Sequence, residues 1–558
     1  MREEVDWGEA ARTSLLLKAV GCWRKNSDSW FAHAYERLPE TVRINPLSGD
    51  QEWIEDWLKS LDCKPIEWFN GVGSAWTMPF PRGKAEGDEK SALAALHETG
   101  RLTRQEAVSM LPVLALEPKP GEYILDLCAS PGSKTSQIAE HLNNSGVVVA
   151  NEVVRGRVNL LVSNMQRHRS RSNIIVNHDA RHFPKVPEFG YDRILVDAPC
   201  TGTGTTRKNP DVWSRWKPNG GRSMQKLQID ILSRATKIIK SGGRIVYSTC
   251  SLDPVENEAV VAEVLRKDPS LRLISAHDLI PNLVASKGMK KWPMLSDECS
   301  IVQDNQGQAS FLPPSETEII DALPLCMRVW NDESKGGGFF LAVIEKQSSQ
   351  ESEGGIRVDR ELTEEEAPID NEDFPQPISS EARTILERRL GHVPNDFWVR
   401  GKKVLWSTPQ AHEIWSSKRS RRGGRTRIPG RRWRPLKVVY LGLEAIHLRR
   451  GEFERIVGSA AKVLSDEIEQ GLTEVPSKVI DSLLSGDEPD PSLVSPKLLS
   501  NRGNFLLIDE VDRTTIPVWI GGRVSLMMRT AEVHVLRLMR GITVDEEELT
   551  YVQSRRIF

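Results

Sequence analysis

The sequence predicts an α/β protein built on a doubly wound, largely parallel sheet. Between Glu122 and Lys346, short apolar runs alternate with stretches of helical periodicity, which is the pattern of successive strand–helix–strand units. The runs lack a polar–apolar alternation, as expected of strands that are buried on both faces. The predicted strands are residues 123–127, 147–153, 173–179, 193–199, 244–250 and 339–345.

Composition divides the 558 residues into four segments. Residues 1–112 are predicted to form an N-terminal module of helices with a few short strands, and residues 113–346 carry the sheet. Residues 347–382 are rich in acids, serine and proline and are too polar to bury a core, so we expect an acidic linker. Residues 383–558 have a mixed pattern, with strand-like runs at 437–443 and 498–508, and are predicted to form a further domain.

The sequence also bears on the cellular location of the protein. The chain has no run near the roughly 18 apolar residues that span a bilayer, and its first residues lack an apolar signal core, so we expect no membrane role and a cytoplasmic protein. Nuclear import through an arginine-rich tract is the alternative. The seven cysteines are widely spaced without a CxxC pair, which favours reduced thiols over disulfides or a zinc or other metal site.

A turn after the first predicted strand is the first candidate binding element. The strand ends at Asp126 and Leu127, the turn contains Pro131 and Gly132, and a helix is expected to begin near Lys134. Ligands of doubly wound sheets bind at such strand ends, against helix N-termini. A single glycine replaces the GxGxxG of dinucleotide folds, which disfavours a nicotinamide dehydrogenase. A strand–turn–helix without a ligand is the alternative.

Acidic residues end the next two predicted strands. Glu152 can accept hydrogen bonds from ribose hydroxyls, and His178 with Asp179 can meet an adenine amino group. Together with the turn, they predict a nucleoside-binding site. The alternative is that both acids only cap the helices that follow.

Two cysteines end the fourth and fifth predicted strands. A lone free cysteine is most often a small buried apolar residue, but Cys200 and Cys250 both face the predicted ligand edge. Two thiols beside S-adenosylmethionine (SAM) suit methylation of cytosine carbon 5, because a thiolate must first add to carbon 6 and a second group must then assist release. Asp197 could bond the N3 and N4 edge of the base. Positive charge could come from Lys134 or from Arg207 and Lys208.

Three motifs resemble those of the RNA cytosine-C5 methyltransferases of the NOL1/NOP2/Sun (RsmB/NOP) family. They are DLCASPGSKTSQ from residue 126, DAPCTGTGTTRKNPDVW from residue 197 and YSTCSLDPVENEAVV from residue 247. RQEAVSMLP (104–112) and GGGFFLAVIEK (336–346) fit the flanking motifs, so the resemblance covers residues 30–346. QEAVSM, RKNPDVW and the long C-terminal extension are most similar to the branch that modifies transfer RNA, the Trm4 or NSun2 type.

The resemblance implies a Rossmann-like SAM-dependent methyltransferase sheet and a role for each motif residue. Cys250, in the Thr-Cys motif, is implied to be the nucleophile, and Cys200, in the Pro-Cys motif, to assist product release. Lys134 and Asp197 complete the catalytic group. The residues implied to bind SAM are Cys128, Ala129, Ser130, Pro131, Gly132, Ser133, Lys134, Glu152, Asp179 and Asp197. Ser130 and Glu152 depart from the residues that many relatives carry at these positions.

RNA contacts are expected in three further places. Residues Lys418–Lys437 hold ten basic side chains and no acid, with Trp433 among them, which favours contact with an RNA backbone over a solvated loop. Arg43 and Asn45 match the family's Arg-x-Asn segment, which touches RNA or has a structural role. The resemblance also implies that residues 1–112 form an α/β RNA-binding module. Relatives with long extensions carry a PUA-like RNA-binding barrel, and a mixed, PUA-like RNA-binding domain is expected over 383–558.

Two rival functions stay open at this level. Ribosomal RNA methylation uses the same motifs, so only the substrate distinguishes it from transfer RNA methylation. A non-catalytic RNA-binding scaffold could keep the fold, but it would not need both thiols, and Cys200 and Cys250 are both present in intact motifs.

Overall fold

A ten-stranded mixed sheet lies at the centre of the structure, which confirms the predicted α/β class. The structure is a computed structural model and describes residues 6–302, 309–334, 336–347, 375–416, 436–499 and 501–543. Most of the predicted acidic linker lies outside these ranges. No helix in the described ranges has both the length and the apolar character to cross a membrane.

The N-terminal module combines helices with a small antiparallel sheet of order β2-β3-β1-β4. Its strands are β1 (Pro39–Ile44), β2 (Lys64–Pro65), β3 (Ala75–Pro81) and β4 (Leu102–Arg104). Its helices are α1 (Trp7–Arg12), α2 (Leu15–Trp23), α3 (Ser27–Ala34), α4 (Gln51–Ser60), α5 (Gly87–Glu98) and α6 (Leu111–Leu116).

The central region supplies nine of the ten strands of the main sheet. The strands are β5 (Tyr123–Asp126), β6 (Val147–Asn151), β7 (Asn173–Val176), β8 (Tyr191–Asp197), β9 (Ile239–Thr249), β10 (Leu271–Ile274), β11 (Ser286–Lys287), β12 (Met327–Val329) and β13 (Phe339–Lys346). The helices are α7 (Ser133–Leu142), α8 (Arg155–His168), α9 (Val212–Arg215), α10 (Pro218–Ile238), α11 (Glu258–Lys267), α12 (Ala276–Leu279), α13 (Thr317–Ala322) and α14 (Asn331–Ser334).

The order of the parallel strands creates the crevice that holds the candidate site. They lie in the order β7-β6-β5-β8-β9, and β13 pairs antiparallel with β9. The chain moves outward from β5 to β7 and then returns to β8 on the other side. Because the loops after β5 and β8 diverge at this topological switch point, a crevice opens at the carboxyl ends of these strands.

The C-terminal region forms two smaller sheets, of order β14-β15-β16-β18-β19 and β20-β21-β22-β23. Its strands are β14 (Gln376–Pro377), β15 (Phe397–Arg400), β16 (Lys403–Trp406), β17 (Val438–Leu441), β18 (Leu443–Arg449), β19 (Glu452–Ile456), β20 (Leu472–Val475), β21 (Gly503–Asp509), β22 (Thr515–Ile520) and β23 (Val524–Leu526). Its helices are α15 (Ser380–Leu390), α16 (Pro409–Ser416), α17 (Ala461–Ser465), α18 (Ser477–Ser485), α19 (Pro491–Val494) and α20 (Thr530–Arg540). Its PUA-like character stays a prediction.

Strand β17 joins the C-terminal region to the main sheet. It pairs antiparallel with β7, with Val438 opposite Val176. Gly442 then turns the chain into β18 at φ +59°, where an added Cβ would lie 2.3 Å from the Trp406 carbonyl oxygen, so only glycine fits. Trp398 and Leu405 are fully buried in the core of the main sheet. Packing is therefore continuous across the predicted boundary at residue 383.

Several predicted strands have other limits in the structure. β9 begins at Ile239 rather than at residue 244, and β6 ends at Asn151 rather than at residue 153. β7 ends at Val176 rather than at residue 179, and the Asn177 side chain donates hydrogen bonds to the carbonyls of Glu152 and Val153. The run predicted at 498–508 is a strand only from Gly503, since Pro496–Leu498 form a 3₁₀ turn.

Arg43 has a structural role in joining two regions of the chain. Its guanidinium is fully buried and donates to both carboxylate oxygens of Glu140 on α7, at 2.6 and 2.9 Å, and to Ser136 Oγ at 3.0 Å. Asn45 is buried as well and donates to the carbonyls of Gly100 and His168. The two residues fasten the N-terminal module to α7 and α8 of the central region, so the structure favours the structural alternative for this segment, and contact with RNA stays a prediction.

A buried carboxylate joins all three regions of the chain. Glu532 on α20 accepts a hydrogen bond from Arg101 of the N-terminal module at 2.7 Å and another from Arg169, which follows α8. Burial by itself would raise the pKa of Glu532, but Arg169 and Arg101 outweigh it and lower that pKa to about 2. The ionised form therefore stabilises the fold above the ordinary pKa, and this contribution is lost as pH falls towards 2.

The Arg43 contact predicts the effect of a conservative substitution. Arg43→Lys removes the two-pronged contact with Glu140, so the free energy of unfolding should fall by about 3 kcal/mol in urea titration. Arg37→Lys, at an exposed position of the same module, should change it by less than about 0.5 kcal/mol. RNA affinity of the folded variant should equal that of the native chain; a stable variant with weakened RNA binding would return Arg43 to the RNA interface.

The three-way junction predicts a pH-dependent loss of stability. Glu532→Gln should lower the free energy of unfolding by about 3 kcal/mol at pH 7, because Arg169 loses its charged partner and Arg101 keeps only Asp50. The difference from the native chain should shrink as pH falls below about 4.5, where the carboxyl group becomes protonated in the unfolded chain, and should be lost near the native pKa of about 2. The exposed Glu510→Gln is the matched control. Equal stability of the Glu532 variant and the native chain at pH 7 would show that the contacts of Glu532 do not stabilise the fold.

Candidate active site

The two predicted cysteines meet at the carboxyl edge of the sheet. β8 and β9 run parallel with Asp197 opposite Ser248, so the segments that follow them leave the sheet side by side. The Gly204 N–H donates to the Cys250 carbonyl at 2.8 Å and holds the two segments together. The Sγ atoms of Cys200 and Cys250 are 3.4 Å apart, within hydrogen-bonding distance for two sulfur atoms.

A lysine–aspartate ion pair lies beside the thiols. Lys134 Nζ is 2.8 Å from Asp197 Oδ2 and donates to Ser109 Oγ at 2.8 Å, while Ser248 Oγ donates to Asp197 Oδ1 at 2.8 Å. Burial by itself would lower the pKa of Lys134, but the charge of Asp197 and a smaller effect of Cys250 outweigh it and raise that pKa. Lys134 is thus a fixed cation, and Asp197, 27% exposed, remains open to a ligand.

The surroundings of the two thiols differ. A hydrogen bond with Cys250, burial and the charge of Glu256 raise the pKa of the Cys200 thiol. Cys250 instead interacts electrostatically with two cations, Lys134 and Lys208. The geometry therefore favours a neutral Cys200 beside a Cys250 that faces positive charge.

The three residues predicted to supply positive charge do not all lie at the site. Burial, and then the charge of Arg82, lower the pKa of Lys208, which lines the cavity beside Cys250. Arg207 donates its guanidinium hydrogens to the backbone carbonyls of Glu36 and Gly336. Lys134 and Lys208 thus provide charge at the site, whereas Arg207 fixes the N-terminal module.

A cavity of about 400 Å³ opens over Cys250, between the N-terminal module and the main sheet. Arg82, His97 and Arg167 add positive or imidazole side chains to its wall. The predicted site residues that line it are Pro131, Gly132, Ser133, Lys134, Asp197 and Cys250. Cys128, Ala129, Ser130, Glu152, Asp179 and Cys200 do not line it.

The predicted cofactor residues lie at the ends of β5 and β6. α7 begins at Ser133, one residue before the predicted start, and no side chain caps its N-terminus in the described part of the chain, so backbone N–H groups face the crevice. Glu152 is buried; its carboxylate accepts from the Val154 N–H at 2.9 Å and lies 3.4 Å from Arg157 Nη1. Ser130 Oγ donates to the Arg157 carbonyl, so it supports the turn.

Asp179 stands apart from the thiols and forms a side-chain hydrogen-bonded pair with Arg181. Its carboxylate also caps the short 3₁₀ turn Ala180–His182, as the capping alternative predicted. It lines a second cavity, of about 320 Å³, with Val153, Asn177, His178, His182 and Lys437. The Lys437 N–H donates to His178 Nε2 at 2.8 Å, so the C-terminal region borders this cavity.

Sequence reasoning missed three polar side chains that organise the site. Ser109 orients Lys134, Ser248 orients Asp197, and Glu256 accepts from Thr201 beside Cys200. All three lie inside quoted motifs, QEAVSM and YSTCSLDPVENEAVV, so the signal was present in the sequence. Their partners are 25, 51 and 55 residues away, and only the folded chain reveals them.

Two further expectations bear on the surroundings of the site. Residues 418–435 of the basic tract, including Trp433, lie outside the described residues, and its last two residues, Leu436 and Lys437, are placed. Over the ranges that the structure describes, no three or more His, Cys, Asp and Glu side chains are grouped to hold a metal ion.

Comparison with known proteins identifies the family. The family model of the 16S rRNA methyltransferase RsmB/F matches residues 113–344. The multisite-specific tRNA:(cytosine-C(5))-methyltransferase of Saccharomyces cerevisiae is 41% identical over 298 residues, which cover 49% of this chain and 43% of the relative. The ribosomal RNA small subunit methyltransferase F of Aliivibrio fischeri is 31% identical over 390 residues, 69% of this chain and 72% of the relative.

The extent of the match differs between relatives. The matched segment spans less than half of the yeast, fly and fission yeast tRNA methyltransferases, 43%, 37% and 44% of their lengths. A methyltransferase homolog protein from Pyrococcus horikoshii has a solved structure with 26% identity and a TM-score of 0.46, over 59% of this chain and 93% of that one. The tRNA (cytosine(49)-C(5))-methyltransferase of Pyrococcus abyssi is 35% identical over 243 residues, 43% of this chain and 75% of the relative. The chain therefore belongs to the RsmB/F family of methyltransferases.

Proposed function

We propose that the chain uses SAM to methylate carbon 5 of cytosine in RNA, with transfer RNA as its substrate. The observation that carries the proposal is the pair of thiols 3.4 Å apart, at the ends of adjacent parallel strands and beside the Lys134–Asp197 ion pair. A thiol pair of this kind suits a reaction in which one sulfur bonds to the base and a neighbouring group assists its release.

The strand ends fit SAM. The uncapped N-terminus of α7 offers N–H groups to a carboxylate, and one oxygen of Glu152, which meets Arg157 only at 3.4 Å, keeps acceptor capacity for ribose hydroxyls. Asp179, partly exposed beside its cavity, can accept from an adenine amino group. When bound there, SAM supplies the methyl group that carbon 5 accepts.

The chain's own residues would carry the remaining chemistry. Cys250 Sγ adds to carbon 6, and the carbon 5–carbon 6 electron pair makes carbon 5 nucleophilic. Asp197 can accept hydrogen bonds from N4 and from a protonated N3, which stabilises the ring as charge develops. After methylation the carbon 5 proton passes to solvent water, the electron pair of that carbon–hydrogen bond re-forms the carbon 5–carbon 6 double bond, and the carbon 6–sulfur bond breaks with its electrons returning to Cys250. Cys200, in contact with Cys250, assists this release.

RNA is the substrate that the cavity and the relatives favour. A target cytosine must leave its stack to reach the thiols, and a cavity of about 400 Å³ with Arg82, Arg167 and Lys208 in its wall suits a base with its phosphates. The relatives named as tRNA methyltransferases support transfer RNA. The relative named as a ribosomal RNA methyltransferase supports the second candidate, ribosomal RNA.

The proposal predicts opposite phenotypes for the two cysteines. In an incubation with tritiated SAM and unmodified transfer RNA, Cys250→Ala should transfer no methyl group and form no adduct, because the bond to carbon 6 cannot form. Cys200→Ala should accumulate a protein–RNA band that resists denaturation on a gel, because release fails. The band should vanish in the double variant.

Matched controls separate chemistry from folding. Cys22→Ala removes a free, partly buried thiol outside the site and should methylate at the native rate. If the tritium label appears in ribosomal RNA but not in transfer RNA, the proposed substrate is wrong and the proposed chemistry stands. No label in either RNA, with no adduct, would support a non-catalytic scaffold.

A further inference from the structure

Glu256 is a buried carboxylate that the proposed chemistry does not use. It lies just before α11 and has no exposed surface. Its Oε2 accepts from the Thr201 N–H at 2.9 Å and from Gln228 Nε2 at 3.0 Å. Its Oε1 accepts from Ser251 Oγ at 2.6 Å and from the Thr201 hydroxyl. Four donors around one buried carboxylate match the requirements of the ionised form.

The donors belong to the two cysteine segments. Thr201 directly follows Cys200, and Ser251 directly follows Cys250, so one carboxylate bridges the residues next to both thiols. The Thr203 hydroxyl, 3.1 Å from Ser251 Oγ, adds a second link between the same segments. The separation of the two sulfur atoms therefore depends on Glu256.

Two other acidic groups, Asp253 and Tyr247, have raised pKa values. Burial, and then the charge of Glu256, raise the pKa of Asp253 to about 8. Burial, and then Glu256, also raise the pKa of Tyr247, whose hydroxyl donates to the Glu256 carbonyl. The hydrogen bond and charge of Cys250 and burial have the largest effects on the pKa of Cys200, and the charge of Glu256 adds to them, whereas Lys134 and Lys208 interact with Cys250.

We propose that Glu256 is a positioning residue that sets the contact between the two thiols and keeps Cys200 in its neutral form. The effect of Glu256 on methyl transfer rests on the proposed function. Two thiolates 3.4 Å apart would repel each other strongly in a partly buried site. A neutral Cys200 can instead donate its S–H to the Cys250 sulfur, so that only Cys250 attacks the base.

Alkylation of Cys200 tests the charge directly and needs no RNA. In a Cys250→Ala background, the rate of iodoacetamide modification of Cys200, followed by mass spectrometry, should rise with pH around the ionisation of this thiol. Adding Glu256→Gln should lower the midpoint of this pH dependence by about one unit, because a nearby negative charge is removed. At a pH below the midpoint, modification should then be roughly tenfold faster. Glu318→Gln, at an exposed acid, should leave the midpoint unchanged.

Methyl transfer tests the positioning. In the otherwise native chain, Thr201→Val removes the hydroxyl donor but keeps the carboxylate charge, so it should lower kcat roughly tenfold with KM for RNA unchanged. The alkylation midpoint of Cys200 should stay at its native value in the Cys250→Ala background. This variant also serves if Glu256→Gln does not fold.

Alkylation and methyl transfer test the two roles of Glu256 independently. If the native chain methylates no RNA, the proposed function falls, and the alkylation midpoints still decide whether Glu256 controls Cys200. An unchanged midpoint without the Glu256 charge would overturn the electrostatic role. A native kcat in Thr201→Val would overturn the positioning role.

Discussion

The parallel pairing of β8 with β9 is the constraint on which the site depends. Because Asp197 lies opposite Ser248, the Pro-Cys and Thr-Cys segments leave the sheet in register, and their sulfur atoms come within 3.4 Å. A slip of one residue would turn these side chains to the opposite face of the sheet. The buried Glu256 carboxylate and the hydrogen bond from the Gly204 N–H to the Cys250 carbonyl then fix the segments beyond the strands.

Buried ion pairs hold the three regions of the chain together. Arg43 and Glu140 join the N-terminal module to α7, whose N-terminus faces the predicted cofactor, while Glu532 links α20 to arginines of the other two regions. β17 extends the main sheet beyond β7 and brings Lys437 to the cavity beside Asp179. The catalytic sheet is therefore supported from both ends of the chain, which explains how one cavity can combine residues of two regions.

The sequence predicted the sheet, the strand ends and the paired cysteines because all of these follow from local patterns. Lys134 and Asp197 lie where their motifs placed them, at the crevice beside Cys250. The Arg-x-Asn segment was ambiguous because burial cannot be read from one short motif, and the partner of Arg43 lies 97 residues away. β17 looked like a strand of a separate domain, since the pairing of Val438 with Val176 spans a long, polar stretch of chain.

A trapped intermediate tests the central claim, attack by Cys250, most directly. Transfer RNA that carries 5-fluorocytosine should accept the thiol and the methyl group, but fluorine cannot leave as a proton does, so the adduct should persist. After digestion, tandem mass spectrometry should find the modified nucleotide on the peptide that contains Cys250. The nucleotide on the Cys200 peptide, or no adduct from a preparation that methylates ordinary transfer RNA, would contradict the account.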